Sequence, residues 1–232
     1  MKITKISQQV KNHLRYSIYI DESYSFSLHE QQLAESGLRV GKELTEAQIN
    51  DYKNESQFGK AYERALNYTL LRPRSRREMD QYLTRTFLYP KPKTYVNKAG
   101  ERVVKKVKVD PVQTKSMIEK ISSRLAEKGY VNDEVFARAW VESRRYFKKT
   151  STRRLQQELR AKGVADEIIA TVLQNDNSTD QQMLRELVTK KRRMARYADD
   201  EKLTAYLLRQ GFSYGDISVA LSSASTGERE DD

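Results

Sequence analysis

The chain has 232 residues, 38% hydrophobic and 32% charged, with a mean hydropathy of −0.82 and a formal net charge of +11. It has no cysteine, which excludes disulfides and thiolate metal sites. No apolar run approaches the ~20 residues of a membrane span, and the start MKITKISQQV lacks the apolar centre of a signal peptide, so a soluble, cytoplasmic protein is expected.

Short segments of period-two alternation open the chain. RYSIYID places Tyr16, Ile18 and Ile20 on one face, and YSFSLH repeats this with Tyr24, Phe26 and Leu28. With KITKI as a third strand and Asp21-Glu22-Ser23 as a turn, a small antiparallel sheet is predicted. LHEQQLAESGL reads as a covering helix stopped by Gly37. Thr45 and Gln48 have capping-box spacing and open a further helix through Ile49 and Tyr52. The two histidines, His13 and His29, are assigned no role. Residues 1–57 are thus read as a small β-rich domain.

Beyond it one pattern occurs three times: SRREMDQYLTRTFL from Ser75, STRRLQQELRAKGV from Ser151 and DDEKLTAYLLRQGF from Asp199. Each starts with an N-cap residue, followed after four positions by Met79, Leu155 or Leu203 and after eight by Leu83, Leu159 or Leu207. Twelve positions on stand Gly163 and Gly211 in the later copies, and Phe87 in the first. Helical patterns precede each copy (61–71, 133–147, 181–197) and follow it (117–125, 168–173, 217–221). One such helix pair could serve as a helix-turn-helix; three copies favour stacked repeats that bury their faces against one another. The fold class expected is mainly α, with tandem three-helix repeats in an elongated array, at 58–132, 133–176 and 177–222, before a disordered tail at 223–232. A β-hairpin inserted in the first repeat is predicted at 88–110, with strands of about seven residues and a reach of roughly 20 Å. This insertion carries seven basic and two acidic residues and reads either as a projecting contact or as a loop without function.

The positive charge is concentrated in the middle. Residues 1–58 carry 7 basic and 8 acidic side chains, residues 59–174 carry 27 and 13, and residues 175–232 carry 9 and 11. Such localisation points to a polyanion or an acidic protein surface. The clusters fall between the first and second helices of each repeat: Arg72, Arg74, Arg76 and Arg77; then Arg144, Arg145, Lys148, Lys149, Arg153 and Arg154 with Tyr146 and Phe147 among them; then Lys190, Lys191, Arg192 and Arg193. Lys105, Lys106 and Lys108 add the hairpin. A recurrent position makes a stripe that suits filaments or phosphate backbones, although solvated helix ends would look the same. Trp140 and Tyr62 read as core. No Walker loop, nucleophile elbow or metal-ligand spacing is present, so neither enzyme activity nor a cofactor is expected.

Over nearly its whole length the chain resembles the RecX family of recombinase regulators. The resemblance rests on YSIYIDESYSFSLHEQQLAESGLRVGKELTE, on LLRPRSRREMDQYL, and on NDEVFARAWVESRR followed by RLQQELRAKGV; the third copy is looser and the 88–110 hairpin departs from the pattern. It implies a non-enzymatic protein of DNA repair, recombination and the SOS response. Such a protein lies in the groove of the RecA–DNA filament as a monomer, bridges protomers and blocks filament growth or promotes disassembly, so suppressing ATP hydrolysis and strand exchange. RecA is then the main partner and single- or double-stranded DNA a weaker contact, with no membrane involved. A stand-alone nucleic-acid-binding repeat protein is the alternative that the residues leave open.

Overall fold

Alternation at the start of the chain does produce a sheet. The computed structural model describes residues 1–97, 100–105 and 107–226; by compactness it forms two units, Met1–Arg72 with Tyr82–Glu127, and Pro73–Gln81 with Lys128–Asp232. In the first, strands β1 (Ile3–Gln8), β2 (Arg15–Ile20) and β3 (Ser23–His29) pair antiparallel in that order. Ile18 stands opposite Ile6 on one side and Phe26 on the other, centring a core with Ile3, Leu28, Leu44 and Ile49. The β2–β3 turn is two residues, Asp21 and Glu22, both left-handed with φ of 45° and 65°, the geometry that matches strand twist. Helix α1 (Glu30–Ser36) starts at His29, whose ring accepts the Gln31 N–H, and stops at left-handed Gly37.

The expected boundary at residue 57 is absent. Helix α2 runs unbroken through Glu46–Leu70, opened by the Thr45–Gln48 capping box. The charge shift near residue 58 introduces no proline, and Gly59 sits within the helix beside the Gln32 side chain. Its first half packs on the sheet through Ile49, Ser56 and Tyr52, the last stacked on Phe26. Its second half turns Ala61, Ala65 and Thr69 inward. Helix α3 (Arg76–Leu83) follows and widens into a π-turn at Thr84–Leu88. The predicted hairpin forms, but its strands β4 (Lys93–Val96) and β5 (Arg102–Lys105) are four residues each, a reach of about 13 Å. Pro90 and Pro92 cannot donate to a ladder, so the strand cannot begin earlier. Helix α4 (Pro111–Glu127) then packs on α2 and the π-turn.

The second and third repeats are regular: α5 (Asp133–Lys148), α6 (Thr152–Ala161) and α7 (Asp166–Gln174); α8 (Asp180–Arg192), α9 (Asp200–Arg209) and α10 (Tyr214–Thr226). Leu155 and Leu159 of α6, and Leu203 and Leu207 of α9, are fully buried in their respective cores, which bears out the i, i+4 reading. The expected 181–197 helix ends at Arg192 and passes into a 3-10 turn at Ala195–Tyr197. The disordered tail expected from residue 223 instead continues α10 as far as Thr226; residues 227–232 lie outside the described part.

Successive repeats are joined by their caps. Ser75 Oγ accepts the Glu78 N–H (3.1 Å) and donates to the Lys162 carbonyl at the end of α6 (2.8 Å). One repeat later Ser151 Oγ accepts the Arg154 N–H (3.3 Å) and donates to the Gln210 carbonyl at the end of α9 (2.8 Å). A carboxylate seconds each joint: Asp133 accepts the Arg76 N–H at 2.8 Å and Asp180 the Thr152 N–H at 2.9 Å. The approach requires glycine. A Cβ on Gly163 (φ +79°) would lie 2.7 Å from Arg77 Cβ, and one on Gly211 (φ +90°) 2.5 Å from Ser151 Oγ. Gly129 (φ +74°) has open space at that place, so Gly129→Ala bears only left-handed strain, about 1–2 kcal/mol. Gly163→Ala and Gly211→Ala are predicted to lose a further ~1–3 kcal/mol from the clash, measured as the difference between the three variants in urea denaturation.

Candidate functional site

The sequence-predicted cations separate into three groups once their surroundings are known. Arg145 is 5% exposed and does not belong to a surface stripe. Its guanidinium bonds Asp176 (2.8 Å), Asp180 (2.9 Å), the Thr150 carbonyl and the Thr152 hydroxyl, all close by or from the following repeat. It stands four and eight residues after buried Val141 and Ala137, so the apolar stripe of α5 itself points it inward. Arg74, next to the buried cap Ser75, is also buried. Both depart from the expected surface placement; for Arg145 the reason is its set of partners, Asp180 of the following repeat among them.

A second group is exposed in part and already engaged. Arg144 lies over the Trp140 ring (4.3 Å) and pairs with Glu158 (2.7 Å); Arg154 reaches Glu158 and the Arg209 carbonyl. Arg192 pairs with Asp200, and Lys149 with Glu186 across from α8. Lys191 sits over the rings of Tyr206 (4.8 Å) and Tyr197 (5.3 Å). Arg77 is exposed at its tip while its stem covers Gly163. Arg72 is exposed. Trp140, half-buried, packs on the repeat-two core and donates to Glu158.

The third group faces solvent: Arg76, Lys148, Arg153, Lys190, Arg193 and, beyond the hairpin, Lys108. Lys105 lies in β5, its side chain outside the described part; Lys106 lies outside the described residues. Beside Lys148, Tyr146 and Phe147 are 72% and 71% exposed and meet edge to face at 4.8 Å.

Several of these residues converge. Lys148, Lys149, Arg154, Lys190 and Lys191 line one cleft with Phe147, Leu187, Tyr206 and Gln210, and Glu158 is the only carboxylate in the lining. Tyr206 and Leu187 were not legible as site residues, since only the stacking of α9 and α8 on α6 brings them there. Burial pulls the Glu158 carboxyl upward, but hydrogen bonds from Arg144 and Trp140 and the nearby positive charge outweigh it, so its pKa lies below the ordinary 4.5. Burial, with Tyr197 adding to it, pushes the Tyr206 phenol up. Among the described residues no group of histidine, aspartate and glutamate could hold a metal ion, and no helix is long and apolar enough to cross a membrane.

Comparison with known proteins agrees with the earlier resemblance. Residues 1–45 match the model of the regulatory protein RecX N-terminal domain, and residues 132–173 that of the RecX second three-helix domain. The chain is 32% identical over 235 positions to a regulatory protein RecX of Listeria welshimeri, covering 98% of this chain and 77% of that one. It is 30% identical to a protein of the same name from Bacillus pumilus, covering 99% and 80%. A crystal structure of regulatory protein RecX superposes with a TM-score of 0.64 at 24% identity over 95% of this chain and 98% of that one. The fold is therefore shared, and these relatives are named as regulators rather than enzymes.

Two measurements check the electrostatic assignments. Arg145→Ala leaves Asp176 and Asp180 without their buried partner and is predicted to cost about 3–5 kcal/mol, whereas exposed Lys148→Ala stays within ~0.5 kcal/mol; urea denaturation separates them. A carboxylate whose folded pKa is lowered stabilises the fold above its unfolded pKa, and that contribution is lost as pH falls through the folded value. Glu158→Gln should therefore be less stable than the parent at neutral pH and lose less stability on acidification through the range below 4.5.

Proposed function

The chain belongs to the RecX family, and from that premise we propose that it binds the RecA–DNA filament and restrains its growth, its ATP hydrolysis and strand exchange. It does so as a monomer in the cytoplasm, without catalysis and without a cofactor. The observation that carries this reading is the recurrence of exposed cations at the adjoining ends of the first and second helices of all three repeats: Arg76, then Lys148 and Arg153, then Lys190 and Arg193. A row of charges at the repeat interval suits a target that is itself periodic, and one exposed ion contributes too little to bind alone. RecA is the principal contact. DNA phosphate is the weaker one, reached by Arg72 and Arg77 and by the hairpin through Lys105, Lys106 and Lys108.

Tyr146 and Phe147 add a contact that phosphate alone does not call for: large aromatic side chains held out in solvent beside cations suit an interface hot spot on a protein and equally a stacking face for a base. In the competing reading the stripe binds DNA alone, with an affinity that falls steeply with salt.

ATP turnover by RecA on single-stranded DNA, with and without this protein, tests the proposal. Turnover should fall as the protein is added. The chain carrying Arg76→Ala, Arg153→Ala and Arg193→Ala, one exposed cation from each repeat, should keep its helical circular dichroism and need roughly tenfold more protein for half inhibition. Unchanged turnover with the parent chain, together with tight salt-sensitive binding to bare DNA, would establish the competing reading.

A further inference from the structure

The joint between the second and third repeats is open at a place where the joint before it is filled. Asp133 and Asp180, equivalent carboxylates of their repeats, set the alignment. Seven residues on, Trp140 corresponds to Leu187, and eleven on, Arg144 to Lys191; on the facing helices Glu78, Glu158 and Lys162 correspond to Arg154, Tyr206 and Gln210. At the earlier joint the indole fills the space under Arg144 (4.3 Å) and Lys162 (5.1 Å), and Glu158 and Glu78 pair with those two cations. One repeat later the four equivalent charged positions hold two cations and no carboxylate. Leucine in place of the indole accompanies a cavity of about 290 Å³.

Three more lysines complete its rim. Lys149 is held at φ +52°, a left-handed conformation that a lysine seldom adopts, with its ammonium on Glu186. Lys148 and Lys190 make no ion pair among the described residues. Phe147 stands at the mouth with most of its ring free.

We propose that this cleft binds the phosphate of a nucleotide, with Lys148, Lys190 and Arg154 on the oxygens and Phe147 against the base. Five cations around one carboxylate call for a dense anion, and phosphate concentrates charge on several acceptor oxygens within one small group. The cavity admits a group of that size, while the exposed ring offers the stacking face that bases use. A free nucleotide and a nucleotide within a single strand share this chemistry. The inference deepens the filament reading by giving one part of the stripe a ligand, and its test omits the recombinase so that the two fail separately.

Isothermal titration of the full chain with pyrophosphate, thymidine triphosphate and a short oligothymidylate is the experiment. Binding of the triphosphate or of the oligonucleotide is expected, and which of them binds tighter identifies the source. The Lys148→Ala, Lys190→Ala double variant should weaken it by roughly tenfold. Leu187→Trp, which puts back the indole of the earlier joint, should abolish it; if that variant does not fold, the lysine double variant decides alone. No binding of any probe, or affinities untouched by the double variant, would overturn the proposal, as would polyglutamate binding as tightly as the oligonucleotide. A chain that binds no probe but still slows the recombinase would refute the cleft and leave filament regulation standing.

Discussion

A serine hydroxyl at each joint, used both as acceptor and as donor, holds the repeats in register. A serine at a helix N-cap ordinarily satisfies its own helix by accepting a backbone N–H. Ser75 and Ser151 also spend their single proton on a carbonyl at the end of the next repeat's second helix. That carbonyl is among those a helix leaves without an internal partner, so the bond satisfies both elements at once. Both serines are fully buried, and neither donor nor acceptor could turn to water if the partner were lost. Asp199, the third cap, has only acceptor oxygens and bonds Glu201 within its own helix. The glycines follow from the same contact: Gly163 and Gly211 lie where a neighbouring cap presses close. Phe87, at the equivalent position of the first repeat, instead has the Arg64 guanidinium over its ring.

Charge placement answers to this joint as well. Asp133 and Asp180 reach across to the first free N–H of the neighbouring second helix. At the later joint Asp180 also receives Arg145, so that guanidinium serves the packing of two repeats. Positive charge in the middle of the sequence is accordingly of two kinds. One part ties helices together, and only the remainder faces outward.

What was legible in the sequence was local. N-caps, i and i+4 leucines and stopping glycines are properties of a dozen consecutive residues, and they placed the caps Thr45, Ser75, Ser151 and Asp199 and the buried leucines of α6 and α9 by chemistry that needs no distant partner. Arg145 was misplaced because its partners, Asp176 and Asp180, stand more than thirty residues further along the chain, although the spacing of Ala137, Val141 and Arg145 already pointed to an inward side chain. The cleft was half legible: its lysines form visible runs, but its emptiness depends on a leucine opposing them, which emerges only on aligning Asp133 with Asp180. The hairpin strands were overestimated: the first starts only at Lys93, after prolines that cannot donate, and its antiparallel partner is held to the same four residues.

Helix α2 changes how the protein comes apart. Arrays of repeats commonly unravel unit by unit, since each contacts only its neighbours. Here the sheet and the first repeat lean on two halves of one 25-residue rod, and melting either half exposes the apolar face that the other half helps to keep ordered. The sheet, α2 and α4 fall in one compact unit and are expected to open together as one foldon, with no linker between the two halves of the rod for a protease to cut.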